Sequence, residues 1–72
     1  MNTKEAIREC IEEMGDPLFE HIQKHCVKYG ILKTEATLEL REMVRRNEIH
    51  MKDDDIDHDF SYRKGSNWEV KP

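Results

Sequence analysis

The first part of the chain places its apolar residues at helical spacing, with polar residues between them. The earliest such segment predicts a helix over residues 3–14, opened by Asn2 with Glu5 three residues further on, a pair that can cap the first turn. Gly15 then provides a stop. We expect one side of this helix to be buried, formed by Ile7, Cys10, Ile11 and Met14.

A second helix is predicted over residues 17–29. Asp16 can accept hydrogen bonds from the first free amide groups, and Pro17 fits the first turn, where no amide donor is needed. Gly30 can adopt the left-handed backbone that commonly ends a helix. The expected buried stripe consists of Leu18, Phe19, Ile22, Cys26 and Tyr29.

A third helix is predicted over residues 34–46, beginning near Thr34, whose hydroxyl can cap it. Asn47 is suited to end it, because asparagine tolerates left-handed backbone better than most residues. The apolar positions lie on one face when each residue is rotated by about 100°. They are Ala36, Leu40, Met43 and Val44.

Beyond Asn47 the apolar residues occupy alternate positions, which is typical of half-buried strands. Strands are predicted over about 48–52, 60–64 and 68–71, on the alternating pairs Ile49 and Met51, Phe60 and Tyr62, and Trp68 and Val70. Two turn candidates separate them, the aspartate-rich run 53–59 and the segment 65–67. The sequence leaves open which of these turns forms the tip of the main hairpin.

The composition narrows the class of protein. Seventy-two residues with 36% hydrophobic content allow one domain and one modest core. We expect no substrate-sized buried cleft, and no nucleophile–base pair or phosphate-binding glycine loop is recognisable, so the sequence predicts a protein that is not an enzyme. The chain lacks the roughly 18 consecutive apolar residues of a membrane span. We therefore expect a cytoplasmic protein with reduced cysteines and no membrane partner.

The charge balance is acidic. Sixteen acidic residues against twelve basic ones give a formal net charge of −4, whereas nucleic-acid-binding proteins usually carry a basic excess. Five of the acidic residues fall within residues 53–59, so the rest of the chain is close to neutral. The local charge of each face therefore matters more than the total.

The arrangement of turns and apolar positions resembles the winged helix-turn-helix family. In that family a glycine and an aliphatic residue join the second and third helices, and three spaced apolar residues fix the third helix against the first two. These places are taken here by Gly30, Ile31, Ala36, Leu40 and Met43, with Asn47 replacing the usual glycine and Ile49 entering the first strand. The resemblance covers about residues 3–71, and it departs at Leu32, where a capping serine or threonine is common.

This resemblance implies an α+β fold, a single winged-helix domain over residues 1–72 with a C-terminal hairpin as its wing. It also implies DNA binding, with the third helix in the major groove and basic strand residues on the duplex backbone, as in transcription regulators that bind as dimers. The implied DNA-contacting residues are Lys33, Thr34, Thr37, Leu38, Arg41, Arg45, Arg63 and Lys64. Three glutamates lie beside them and would repel the phosphate groups of DNA. They are Glu35, Glu39 and Glu42.

A second hypothesis rests on Leu38, an aliphatic residue in the middle of a polar helix face. It can contact a thymine methyl group, a protein partner or a second copy of the chain. The plainer interpretation of Arg41 and Arg45 is a solvated face with ion pairs to Glu42 or Glu48. The alternative function is therefore a winged-helix protein–protein interaction module with an acidic surface and no DNA binding.

Two patterns contain residues that metals accept, and neither is predicted to bind an ion. Residues 53–59 begin like a calcium loop, but His58 stands where glycine is needed and Lys64 stands where the final glutamate belongs. The possible zinc ligands have no C-x-x-C spacing, and they are His21, His25, Cys26 and Cys10. We expect no metal, no other cofactor and no disulfide between the two cysteines.

Overall fold

The computed structural model describes residues 1–54 and 59–69, and within them three helices are followed by an antiparallel hairpin. The elements are α1 (Thr3–Met14), α2 (Phe19–Lys28), α3 (Lys33–Arg45), β1 (Ile49–Asp54) and β2 (Asp59–Lys64). The predicted α+β class is confirmed, and the order of elements is consistent with the winged-helix resemblance. None of these helices is long and apolar enough to cross a membrane.

The helices and the hairpin share one apolar core, to which every element contributes. Its buried members are Ala6, Ile7, Cys10, Ile11, Ile22, Cys26, Ile31, Ala36, Leu40, Met43, Ile49, Tyr62 and Trp68. Phe19 and Val44 are partly buried against it. Met14 and Tyr29, predicted to be buried, are exposed instead, because Met14 is the last residue of α1 and Tyr29 lies beyond the end of α2.

The predicted ends of the helices agree with the structure better than two of the predicted starts. The amide of Glu5 donates to Asn2 Oδ1 at 2.8 Å, which confirms the first cap. Gly30 and Asn47 both have left-handed backbone, with φ of 79° and 63°, as predicted for the ends of α2 and α3. These two residues set the chain direction before and after α3.

The start predicted at Asp16-Pro17 is wrong, and so is the cap predicted at Thr34, although α3 begins within one residue of the predicted position. The carbonyl of Pro17 accepts a hydrogen bond from the amide of Tyr62 at 2.9 Å, and Leu18 forms a β-bridge with Ser61. These contacts keep residues 17–18 extended along the edge of β2, so α2 begins only at Phe19. Leu32 precedes α3 as its N-cap without any side-chain cap, which places Thr34 inside the first turn.

The register of the hairpin identifies its tip. The strands pair from Ile49 opposite Lys64 at one end to Asp54 opposite Asp59 at the other, so residues 55–58, which lie outside the described part, join the strands. The acidic segment is therefore the tip, and Gly65 follows the base of the hairpin. Arg63 also lies near that base, next to Lys64.

The third predicted strand, 68–71, is wrong for its described residues, because Trp68 and Glu69 lie in a turn. The backbone turns beside Gly65, whose amide donates to the Glu48 carbonyl at 3.0 Å. A side chain at Gly65 would lie only 2.5 Å from the Asn47 carbonyl oxygen, so glycine permits this close approach. The turn buries Trp68, and residues 70–71 lie outside the described part.

Glu48 is a buried carboxylate that connects α1 to the junction of α3 and β1. Its Oε1 lies 2.9 Å from Lys4 Nζ, and its Oε2 accepts from Arg46 Nε at 2.6 Å. The ammonium group of Lys4, followed by the hydrogen bond from Arg46, holds the pKa of Glu48 below its ordinary value despite burial. The charged form of Glu48 therefore stabilises the fold.

We expect Glu48→Gln to lower the free energy of unfolding by about 1–2 kcal/mol at pH 7, because the amide cannot replace the ion pair with Lys4 and the charge-assisted hydrogen bond from Arg46. A pKa lowered by folding gives stability that is present above the ordinary value, 4.5, and lost as the pH falls through the folded pKa. Urea unfolding at pH 7 and pH 3 checks both points. The gap between wild type and variant should shrink in acid, and a gap independent of pH would contradict the assignment.

Candidate nucleic-acid interface

One edge of α3 docks on the core, and the opposite edge faces outward. Leu40 is 2% exposed, whereas Leu38 is 62% exposed on the same helix. Thr34, Arg41 and Arg45 are exposed as well. The outward stripe predicted from the helical period is therefore present along the full length of α3.

Lys33 and Thr37, which were predicted to flank this stripe, differ in whether their polar groups are free to bind a partner. Lys33 is the first residue of α3 and is exposed. Thr37 is half-buried, and its hydroxyl donates to the Lys33 carbonyl at 2.9 Å. The lysine is available for an external partner, while the threonine hydroxyl hydrogen is already used within the helix.

Glutamates pair with arginines at the C-terminal end of α3. Arg45 Nη2 lies 2.9 Å from Glu42 Oε2, an intrahelical pair of the kind expected from the sequence. The neighbouring Arg46 contacts Glu39 at 3.4 Å and Glu48 at 2.6 Å. Part of the positive charge at this end of α3 is therefore matched by the chain's own carboxylates.

Lys64, at the end of β2, is turned toward α1. Its Nζ lies 3.0 Å from Glu12 Oε1 and 5.6 Å from the centre of the Trp68 ring. The hydrogen bond from Lys64 lowers the pKa of the Glu12 carboxyl. Arg63 is exposed on the other face of the hairpin, opposite His50. The structure thus places neither residue at the tip of the hairpin.

An apolar groove between α3 and the hairpin was not anticipated. This α3–hairpin groove has a volume of about 510 Å³. It is lined by Phe19, Thr37, Leu40, Arg41, Val44, Met51, Phe60 and Tyr62. Two large apolar side chains in it remain open to solvent, Met51 at 42% and Phe60 at 40% exposure.

Arg41 belongs to both surfaces, since it lies on the outward stripe and also lines the groove. Burial raises the pKa of the Tyr62 hydroxyl, and the positive charge of Arg41 opposes that rise. Met51 lies opposite Tyr62, and Phe60 lies two residues before Tyr62, so these three side chains share one face of the hairpin. The alternating apolar residues were expected to form the buried face of half-buried strands, and the exposed part of that face was not predicted.

The four zinc ligands considered from the sequence do not form one cluster among the described residues. They are His21, His25, Cys26 and Cys10. Cys10 and Cys26 are free and buried in the core, and burial, with Cys26 nearby, raises the pKa of the Cys10 thiol to about 11. His21 Nδ1 accepts a hydrogen bond from the Leu18 amide at 3.3 Å. The calcium-like pattern of residues 53–59 lies largely outside the described part.

Comparison of the chain with protein-family models, curated proteins and solved structures finds no match.

Proposed function

We propose that this protein is a small DNA-binding protein of the transcription-regulator type that places α3 in the major groove. The observation that carries the proposal is the attachment of α3 by one edge, which leaves Thr34, Leu38, Arg41 and Arg45 facing outward along its length. Arginine can hold phosphate or guanine, and threonine and leucine suit base edges and the thymine methyl group.

The ion pair of Arg45 does not prevent a DNA contact. Both Arg45 and Glu42 are substantially exposed, and such surface pairs contribute only about 0.2–1 kcal/mol. A phosphate group competes for the guanidinium at little cost, since the released Glu42 is hydrated again. Glu35 and Glu39 still oppose phosphate on the neighbouring turns, which limits the affinity.

The hairpin contributes little to this mode of binding. Its tip connects strands ending at Asp54 and beginning at Asp59, within the aspartate-rich run, and this run repels phosphate. Lys64 is paired with Glu12 on the α1 side. The contacts therefore come mainly from three basic residues of α3, namely Lys33, Arg41 and Arg45.

Three phosphate contacts predict a modest dependence on salt. The logarithm of the affinity for a labelled duplex should fall with a slope of about −3 against the logarithm of salt concentration. Fluorescence anisotropy between about 50 and 200 mM salt measures this slope. Absence of binding at the lowest salt would reject the proposal.

Charge reversal at both Arg41 and Arg45 tests the assignment to α3. The double variant Arg41→Glu with Arg45→Glu should lose about 100-fold in affinity at low salt and about two units of the salt slope. The matched control is Lys24→Glu with Lys28→Glu, which makes the same change in net charge on exposed residues of α2. Equal losses in both variants would point to net charge alone and contradict the assignment to α3.

A second candidate function is supported by the α3–hairpin groove. Exposed apolar side chains beside a polar helix face are typical of protein contact sites, and Met51 and Phe60 provide two in the groove. Leu38 is a third exposed apolar residue, on α3 but outside the groove lining. In this alternative the protein is an interaction module, with a second copy of the chain as one possible partner through Leu38. It predicts no DNA binding at low salt, together with self-association in sedimentation that Leu38→Glu abolishes.

A further inference from the structure

Two glutamates and a histidine meet on the side of the molecule where α1 packs against α2. Glu9 and Glu13 lie one helical turn apart on α1, and His25 lies on α2. One ligand atom from each of the three residues lies within 4.8 Å of the other two. These residues are separate from the α3 stripe and from the groove.

The imidazole of His25 has a buried nitrogen that no hydrogen bond satisfies. Its Nε2 is excluded from solvent and makes no hydrogen bond, although Glu9 Oε1 lies 3.3 Å away. The ring packs edge-on against Tyr29, with ring centres 5.3 Å apart. A buried polar atom without a partner costs free energy, so a ligand accepted at Nε2 would remove that cost.

Tyr29 supports the carboxylate that faces this nitrogen. Its hydroxyl donates to Glu9 Oε1 at 2.5 Å. Hydrogen bonds of this type orient the carboxylates that bind metals in proteins.

We propose that Glu9, Glu13 and His25 bind a divalent first-row transition-metal ion such as zinc, which joins α1 to α2. One imidazole nitrogen and two carboxylate oxygens form a ligand set that zinc accepts, with water completing its coordination. Exposure of Glu13 leaves a route for the ion from solvent. The buried thiols of Cys10 and Cys26 take no part.

Titration with zinc tests this inference on the whole chain. Calorimetry at pH 7 should detect one site per chain. An ion that binds only the folded state stabilises it, so zinc at about 100 times its dissociation constant should raise the melting temperature by about 10–20 °C. Absence of binding up to millimolar zinc would overturn the inference, whatever the outcome for DNA.

Matched variants assign the ligands. Glu13→Gln and His25→Gln should each weaken zinc binding by at least about tenfold. Glu20→Gln on α2 and His50→Gln on β1 make the same chemical changes at exposed positions away from the cluster and should bind like the wild type. Circular dichroism without metal verifies that each variant keeps its helices.

Cobalt serves as a spectroscopic probe that distinguishes nitrogen and oxygen ligands from the competing cysteine thiolates. Cobalt bound to nitrogen and oxygen lacks the strong near-ultraviolet absorption of a cobalt–thiolate bond, and this weak spectrum is the expected result. A thiolate band would show that Cys10 or Cys26 is the ligand and would overturn the proposal. Wild-type affinity in both Glu13→Gln and His25→Gln would overturn it equally.

Discussion

Leu40→Ala is expected to unfold much of the protein in water, whereas Leu38→Ala on the same helix leaves it folded. Leu40 is 2% exposed and attaches α3 to the core, so its truncation removes buried contacts and leaves a cavity. Such a change costs about 2–5 kcal/mol. The total stability of a domain this small is only about 3–5 kcal/mol. Urea unfolding followed by circular dichroism measures the loss.

Leu38→Ala is the matched control, because it makes the same chemical change at a position that is 62% exposed. Its stability should stay within about 0.5 kcal/mol of the wild type, since alanine also favours helix. Affinity for DNA, or self-association under the second candidate function, is the property it should reduce. Equal destabilisation by both changes would mean that α3 does not dock through Leu40.

The helices were predictable because each depends on local features of the sequence. The 3.6-residue period of apolar positions fixes which edge of α3 is buried, and that edge in turn fixes the outward stripe. Gly30 and Asn47 have the left-handed backbone that ends a helix, a conformation these residue types tolerate at low cost. The candidate DNA-binding face of α3 therefore followed from one helix and its two boundaries.

The start of α2 was not predictable, because contacts distant in sequence decide it. Pro17 and Leu18 read locally as the beginning of a helix, yet they pair with β2, which lies more than forty residues later in the chain. Local propensity yields to a strand contact of this kind because the backbone hydrogen bond to Tyr62 is made only in the extended form.

The α3–hairpin groove illustrates a second limit of prediction from the sequence. Alternation shows which residues of a strand share a face, but it does not show how far the strand extends beyond the helices that cover it. Met51 and Phe60 share a face with the buried Tyr62 and yet remain exposed. Only the strand register and the position of α3 reveal that this face is partly uncovered.

The metal cluster could not be found from the sequence for a related reason. Glu9 and Glu13 belong to the polar side of α1, and no pattern in the sequence distinguishes them from its other polar residues. Their proximity to His25 depends on the packing of α1 against α2, which the period of either helix alone does not fix. The zinc ligands considered from the sequence were His21, His25, Cys26 and Cys10, and of these only His25 belongs to the cluster. The fold uses both cysteines as small apolar core residues.

Trp68→Ala should destabilise the protein as strongly as any single change, by about 3–5 kcal/mol. Trp68 is 3% exposed and closes the core from the turn that follows β2. Its ring also lies beneath the guanidinium of Arg8, 4.0 Å from ring centre to Cζ, and its carbonyl accepts from Arg8 Nη1 at 3.0 Å. Removal of the indole leaves a cavity and an arginine without its aromatic partner.

Trp68 is the only tryptophan of the chain, so unfolding must be followed by far-ultraviolet circular dichroism rather than by fluorescence. Trp68→Phe is the control, because phenylalanine keeps an aromatic ring over the core and under Arg8 and should recover most of the lost stability. A loss below about 1 kcal/mol in Trp68→Ala would contradict the closure of the core by this turn.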